Sequence, residues 1–474
     1  MKQWKRKPRI LLVGDSSCIH TGFARIIKNV ALHLYNTGEY EVKTIGWFHK
    51  ETEEIVPYEI FTTDQTDRMR MEMDKYAAHT FPKVVEKYKP DLVLCVGDSW
   101  MVEHTAIGPA RNEFKYKLIL YVPIDGMPIP KKWTDTFAKA DVTVLYGDFG
   151  KKVVTQRNPG LTNLTTINHA VDLDIFKPIE EDARKEMKKQ FGGENKFIVG
   201  CVARNQPRKY LPRLFKTARL FLNGYTVCSD CGELRFEISK QCQACESVNV
   251  VNGEPKEDVR FYMHMALNDC GWNIYELIQR FGLSGKIAYP RGLQVGHGVE
   301  IHRLAEIMAS FDVFTLPTSG EGWGLPILEA MACGTPVVVT DYSAHVDFVK
   351  GAGELIKVSE FMTEPLTNIE RAVVDLFDYC MRLDRLYYND SDVFWTKWGK
   401  YINENYGWPK ESVIVGDEYR EVLSGLSRAR AKGYSWERVN SEWQDLINLT
   451  LDYTPKTGIS EDVSGPSSYG TEEL

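Results

Sequence analysis

Two sets of residues in this 474-residue chain have types and spacings suited to chemistry. The first lies in the run TSGEGWGLPILEAMACGTPVVVT at 318–340. Residues 312–316 read as a strand and 320–324 as a glycine-rich turn, and Pro326 falls where a first helical position is expected. Gly334 ends a helix of about two turns before a buried strand at 337–340. A helix start offers unpaired N–H groups and partial positive charge, and Gly322 and Gly324 carry no side chain to keep an anion away, so a phosphate suits the place. Glu321 lies in the turn and Glu329 eight positions on, in the first turns of the helix. Carboxylates repel phosphate, so these two fit hydroxyl donors beside it, as in a sugar nucleotide. The bland alternative is two solvated glutamates on a surface helix. The second set is Cys228-x2-Cys231 and Cys242-x2-Cys245, ten residues apart. Four thiolates in paired knuckles suit tetrahedral structural zinc, with iron or two disulfides as alternatives.

The elements that must position these groups follow a β-α-β rhythm. Apolar runs at 9–13, 41–47, 92–96, 118–122, 142–146 and 165–167 form one series, with a helix-like stretch at 24–35 after the first. A charged stretch at 180–195 separates it from runs at 197–202, 259–263, 286–288, 312–316 and 337–340. Strands alternating with helices imply parallel sheets covered on both faces, so the chain reads as α/β with two doubly wound, Rossmann-like domains. Ligands bind outside the carboxyl ends of such strands, which places the site in a cleft between the halves. The expected division is 1–176, then 177–430 with a zinc-binding insertion at 225–258, a closing helix at 431–453 and a flexible tail at 454–474. Residues from 364 to about 430 read as mostly helical.

Hydrophobic residues make up 43% and charged residues 26%, which excludes a wholly disordered or coiled-coil chain. The net charge of −7 argues against non-specific nucleic-acid binding. No run approaches the ~18 apolar residues of a membrane span, and the short apolar run after the basic start is no signal peptide, so a cytoplasmic setting is expected.

The string from Glu321 to Glu329, continuing Ala-Met-Ala-Cys-Gly-Thr-Pro, resembles the E-x7-E signature of retaining GT-B glycosyltransferases of the group-one (family four-like) class. Arg204 with Lys209 resembles that family's Arg-x4-Lys element, His169-Ala170-Val171-Asp172 its interdomain segment, and Tyr434-Ser435-Trp436 its closing helix. The resemblance implies a GT-B fold and sugar transfer from a nucleoside diphosphate to an unidentified hydroxyl acceptor, with net retention and no catalytic metal. It implies that Glu329 holds the ribose hydroxyls and Glu321 the donor sugar. The N–H groups of Gly322, Trp323, Gly324 and Leu325 would meet sugar and phosphate oxygens, and Arg204 and Lys209 would grip the diphosphate. A solvated basic loop, crowded by Arg208 and Arg213, is the alternative for the last pair.

Gly22, after the first strand, suits close backbone approach to the donor or an ordinary turn. Asp125 ends a strand in a proline-rich loop; it suits contact with donor sugar, acceptance of the attacking hydroxyl's proton, or loop capping. Asp98 has the same ambiguity. Trp100 and Trp133 suit stacking on an acceptor ring or simple packing. His169 reads as a hinge or a structural histidine, and Arg291 lies in the segment expected near the donor base. The insertion has no counterpart in the family pattern; its excess of acids makes it a poor phosphate clamp and leaves it a fold-stabilising part or a surface for a protein partner. Two other readings remain: a GT-B epimerase or phosphorylase, and a non-catalytic partner subunit.

Overall fold

The computed structural model describes residues 4–19, 21–49, 55–63, 68–294 and 298–454. The tail expected from 454 lies, beyond Thr454 itself, outside the described residues.

The first sheet is built from β1 (Arg9–Asp15), β2 (Glu41–Trp47), β3 (Glu59–Thr62), β4 (Leu92–Val96), β5 (Lys117–Val122), β6 (Val142–Leu145) and β7 (Leu164–Thr166). All pairs are parallel, in the order β3-β2-β1-β4-β5-β6-β7. Both faces are covered, so β1 and β4 are almost wholly buried and read as continuous apolar runs. After β8 (Phe197–Val202) come three short antiparallel strands of the insertion, β9 (Tyr225–Cys228), β10 (Leu234–Arg235) and β11 (Val250–Gly253). The second parallel sheet adds β12 (Val259–His264), β13 (Ile287–Ala288), β14 (Val313–Leu316), β15 (Val337–Thr340) and β16 (Glu354–Ile356), ordered β13-β12-β8-β14-β15-β16. The strand order reverses between β1 and β4 in one sheet and between β8 and β14 in the other. Loops leaving neighbouring strands at such a point diverge and open a crevice.

Three features depart from the sequence expectation. β3 and, in the second sheet, β16 are additional edge strands, the first too exposed and the second, at three residues, too short to stand out as an apolar run. A hairpin of β17 (Val358–Thr363) and β18 (Glu370–Val374) occupies the start of the region expected to be helical. β18 has five residues, and its partner begins before the helical region, so no local window contains the pair. The helix after the glycine turn spans Leu325–Ala332, so Pro326 is its second residue, with Gly324 at the cap in a left-handed conformation (φ 94°).

The chain then returns to the first sheet. Val171 N donates to Tyr434 O (2.9 Å), and the helix Trp436–Leu451 begins at Ser435, whose hydroxyl caps Arg438 N. Trp443 is fully buried with its ring edge-on to Tyr121 of β5, and Tyr40 donates to Asn448 (2.6 Å). Among the described residues no helix is long and apolar enough to cross a membrane. Trp443→Ala is expected to lower stability by about 3–5 kcal/mol in urea unfolding; a loss under about 1 kcal/mol would mean that this helix does not anchor the first sheet.

Candidate active site

Strand order in the second sheet brings two loops together. One leaves β8 through Arg204 to Lys209, and the other leaves β14 toward Glu321. They are stitched by Ser319, whose N–H (2.7 Å) and hydroxyl (2.8 Å) both donate to Arg208 O. The Glu321 carboxylate is buried between Arg208, whose Nη1 donates at 2.8 Å, and the Lys209 ammonium. Its own N–H donates to Ser343 Oγ (2.8 Å). Burial alone would raise the Glu321 pKa, but the two cations outweigh it and hold the group well below the usual carboxylate range. Burial and the neighbouring Arg208 pull Lys209 down to about 8, against the opposing pull of Glu321.

Arg204 goes elsewhere: its guanidinium forms a two-point pair with Asp269 (3.0 and 2.9 Å) and is about half exposed. The structure thus brings Lys209 and Glu321 together, with Arg208 rather than Arg204 as the second cation. Arg208 looked in the sequence like crowding. Its adjacency to Lys209 within the short 3-10 turn Pro207–Lys209 was the available signal.

The lobes meet at Glu329. Its buried carboxylate pairs with Arg25 on the helix Gly22–Asn36 of the first lobe. A side chain at Gly22 would come within 3.4 Å of Leu325, so the starts of the two helices face one another. Gly322 was expected to leave room for an anion; a Cβ there would lie 2.4 Å from Pro123 Cβ, and one at Gly320 would lie 2.0 Å from Asp125 O. These glycines therefore also serve close approach of the opposite lobe. The Trp323 side chain is buried against Phe348 (4.9 Å) and Tyr434 (5.5 Å), leaving only its backbone for a ligand.

On the first lobe, Asp125 is held by Arg371 of β18, which contacts both its carboxylate (2.9 Å) and its carbonyl (3.1 Å). Asp15 accepts from Thr21. Burial, reinforced by Asp125, pushes Asp98 up to about 6. His169 lies buried between the rings of Tyr146 and Trp436, and burial with nearby Arg25 pushes it down to about 3, so it is a neutral packing residue at neutral pH. Trp133 packs on the core behind the first sheet, whereas Trp100 is half exposed. Arg291 is exposed in the turn after β13. Arg25 and Arg371 were missed by sequence reasoning: Arg25, three residues past Gly22, reads as one more arginine on an amphipathic helix, and Arg371 lies near no motif.

In the insertion, the sulfurs of Cys228, Cys231, Cys242 and Cys245 all lie within 4.8 Å of one another. Cys228 and Cys245 are 3.6 Å apart and Cys231 and Cys242 3.5 Å apart. Tetrahedral zinc with bonds of about 2.3 Å sets its sulfurs about 3.8 Å apart, so the residues fit that ion. The knuckles are shaped by Gly232, at φ 76°, donating to Cys228 O (3.0 Å), and by Cys242 N donating to Ser247 O (2.7 Å). Lys400 of the helix Ser391–Asn405 donates to Ser229 O (2.8 Å), and Tyr225 and Val227 pack into a small core with Phe394 and Trp398.

Residues 288–376 match the family model described as "Glycosyl transferases group 1". That stretch contains Arg291, Glu321 and Glu329; Arg204, Lys209 and Asp125 lie outside it. The O-antigen chain mannosyltransferase B of Escherichia coli is 31% identical over 246 residues, 51% of this chain and 50% of that protein. A probable sucrose-phosphate synthase of Craterostigma plantagineum is 26% identical over 248 residues, 51% of this chain and 21% of that protein. The chain thus spans a half or less of these curated relatives. Among solved structures, a sucrose-phosphate synthase from Thermosynechococcus elongatus superposes with a TM-score of 0.62 at 14% identity, over 94% of this chain and 100% of that one. Anabaena HepE, solved with UDP-glucose, gives 0.60 at 14%, over 93% and 99%. Residues 288–376 thus carry the pattern of the group 1 glycosyltransferases, the curated relatives that align with the chain include glycosyltransferases, and the solved structures share its GT-B-like α/β fold.

Proposed function

We propose that this chain is a retaining glycosyltransferase that moves a sugar from a nucleoside diphosphate to a hydroxyl acceptor without a catalytic metal. The observation that carries this reading is the Glu321 carboxylate held between Arg208 and Lys209, immediately before a helix start. Without a ligand, the buried acids and cations neutralise one another, as groups withdrawn from water must. A bound diphosphate supplies negative charge in their place. Lys209 and Arg208 turn to it, joined by Arg204 from its exposed pair with Asp269, and Glu321 is released to accept hydroxyls of the donor sugar. Glu329 exchanges Arg25 for the ribose hydroxyls, the N–H groups of Gly322 to Leu325 meet sugar and phosphate oxygens, and Arg291 lies on the base side.

Breaking the glycosyl–phosphate bond leaves growing charge on the diphosphate, which fixed cations and a helix terminus stabilise. The acceptor oxygen attacks from the face the phosphate leaves, and the departing phosphate takes its proton. No protein nucleophile is needed. Asp125, tied to Arg371, shapes the cleft rim. In this reading residues 1–176 bind the acceptor and 177–430 the donor, with 431–453 closing the fold. The ten cysteines, none in a disulfide, suit a cytoplasmic protein. The four clustered thiolates hold a structural zinc with no open coordination position, so the ion would stabilise the insertion and take no part in transfer.

Turnover against a panel of nucleotide sugars should persist after free divalent ions are chelated; a strict requirement for added magnesium or manganese would overturn the metal-independent mechanism. Glu329→Ala should weaken donor affinity about 10- to 100-fold by calorimetry, and unchanged affinity would remove the ribose role. Because Lys209 is pulled down to about 8, its charge is lost as pH rises through that value, so donor affinity should fall above about pH 8. Lys209→Arg should flatten this decline. The purified chain should contain about one zinc equivalent, and Cys228→Ser with Cys245→Ser should remove the metal and lower the melting temperature.

A further inference from the structure

The strand-order reversal between β1 and β4 lies on the first lobe, with Asp15 ending β1 and Asp98 two residues past β4, at the kind of point where ligands bind in such sheets. Asp125 is occupied by Arg371, and Asp15 accepts from Thr21. Asp98 differs: its partly buried carboxylate has no hydrogen bond or ion pair among the described residues. Its backbone is fixed, with Asp98 O accepting from Met101 N (2.8 Å) and Val102 N (3.3 Å). A second polar group nearby is also unsatisfied. The Tyr146 hydroxyl, on a side chain only 5% exposed, has no partner and lies within electrostatic reach of both Asp98 and Asp15. Partly or fully buried polar groups without partners mark a place where a ligand's polar atoms complete the set.

Beside these groups stands an aromatic shelf. The Tyr76 ring meets Trp100 edge-on at 5.0 Å and Phe48 at 5.8 Å, with Trp100 51% and Phe48 40% exposed. Exposed rings next to a carboxylate suit a pyranose, whose C–H face lies on the ring while its hydroxyls donate to the acid. Three carboxylates, Asp15, Asp98 and Asp125, disfavour a phosphate here, and the nearby cations Arg204, Arg208 and Arg371 are each paired with a carboxylate. We propose that the acceptor is an unphosphorylated saccharide whose ring seats on Trp100 and whose hydroxyl donates to Asp98. This rests on the transferase reading and narrows its acceptor class.

The test is saturation-transfer NMR on the full chain with methyl α-glucoside, methyl α-mannoside and maltose against glucose 6-phosphate and fructose 6-phosphate. Neutral sugars should bind in preference to the phosphates. Trp100→Ala should weaken that binding about three- to tenfold and Asp98→Asn about tenfold or more, with donor affinity unchanged. Asp98 faces Asp15 and Asp125, Arg208 and Arg371, and the hydroxyls of Tyr76 and Tyr146. Neutral-sugar affinity should therefore rise as pH rises through about 6, where Asp98 ionises, and be flat in Asp98→Asn. Tighter binding of the sugar phosphates, no binding of any neutral sugar, or indifference to both substitutions overturns the proposal. Nucleotide-sugar turnover without this preference counts against the proposal alone; neutral-sugar binding at Trp100 without any turnover supports the saccharide site and counts against the transferase reading.

Discussion

A charge withdrawn from water must find an opposite charge, and the junction between the two lobes is arranged around that requirement. Glu321 sits between Arg208 and Lys209, and Glu329 is met by Arg25 from the other lobe. The strand-order reversal between β8 and β14 makes the first arrangement available by sending two loops from adjacent strands to one place. The start of the helix Leu325–Ala332 adds positive potential without adding another side chain. Each interaction is local, yet each acid is satisfied only because remote segments of the chain converge.

That convergence sets the boundary of what the amino-acid order disclosed. The inner parallel strands were legible because burial on both faces turns them into uninterrupted apolar runs, and the glycine turn with its flanking acids was legible because its pieces lie within a dozen residues. The cysteine knuckles were legible for the same reason. Arg25 was not: it meets Glu329 across 304 positions, and no local pattern distinguishes it from any arginine on an amphipathic helix. Arg371 was hidden likewise, inside a strand too short to register. The choice between Arg204 and Arg208 depended on which guanidinium had a carboxylate of its own, and Asp269 supplies one to Arg204.

The insertion shows how a segment with its own staples is joined to a larger body. β9 follows the helix Leu211–Asn223 directly, and that helix begins two residues after Lys209. Beneath the knuckle, Asp384 is shared by Lys256 (3.1 Å) and Lys397 (2.6 Å) and accepts from Trp398 (2.9 Å), so the junction is held by buried charge as well as by packing. The insertion is therefore not a pendant module. It is continuous with the helix that begins just after the turn carrying Arg208 and Lys209.

Gly320 and Gly322 bring the backbone that carries Glu321 flush against Pro123 and Asp125, with no slack at those two points. A molecule as thick as a sugar ring cannot slip between rigid surfaces fitted this closely. Were such a ring to pass between these contacts, the halves would have to part, and the time it stayed would follow that parting as much as the grip it found inside.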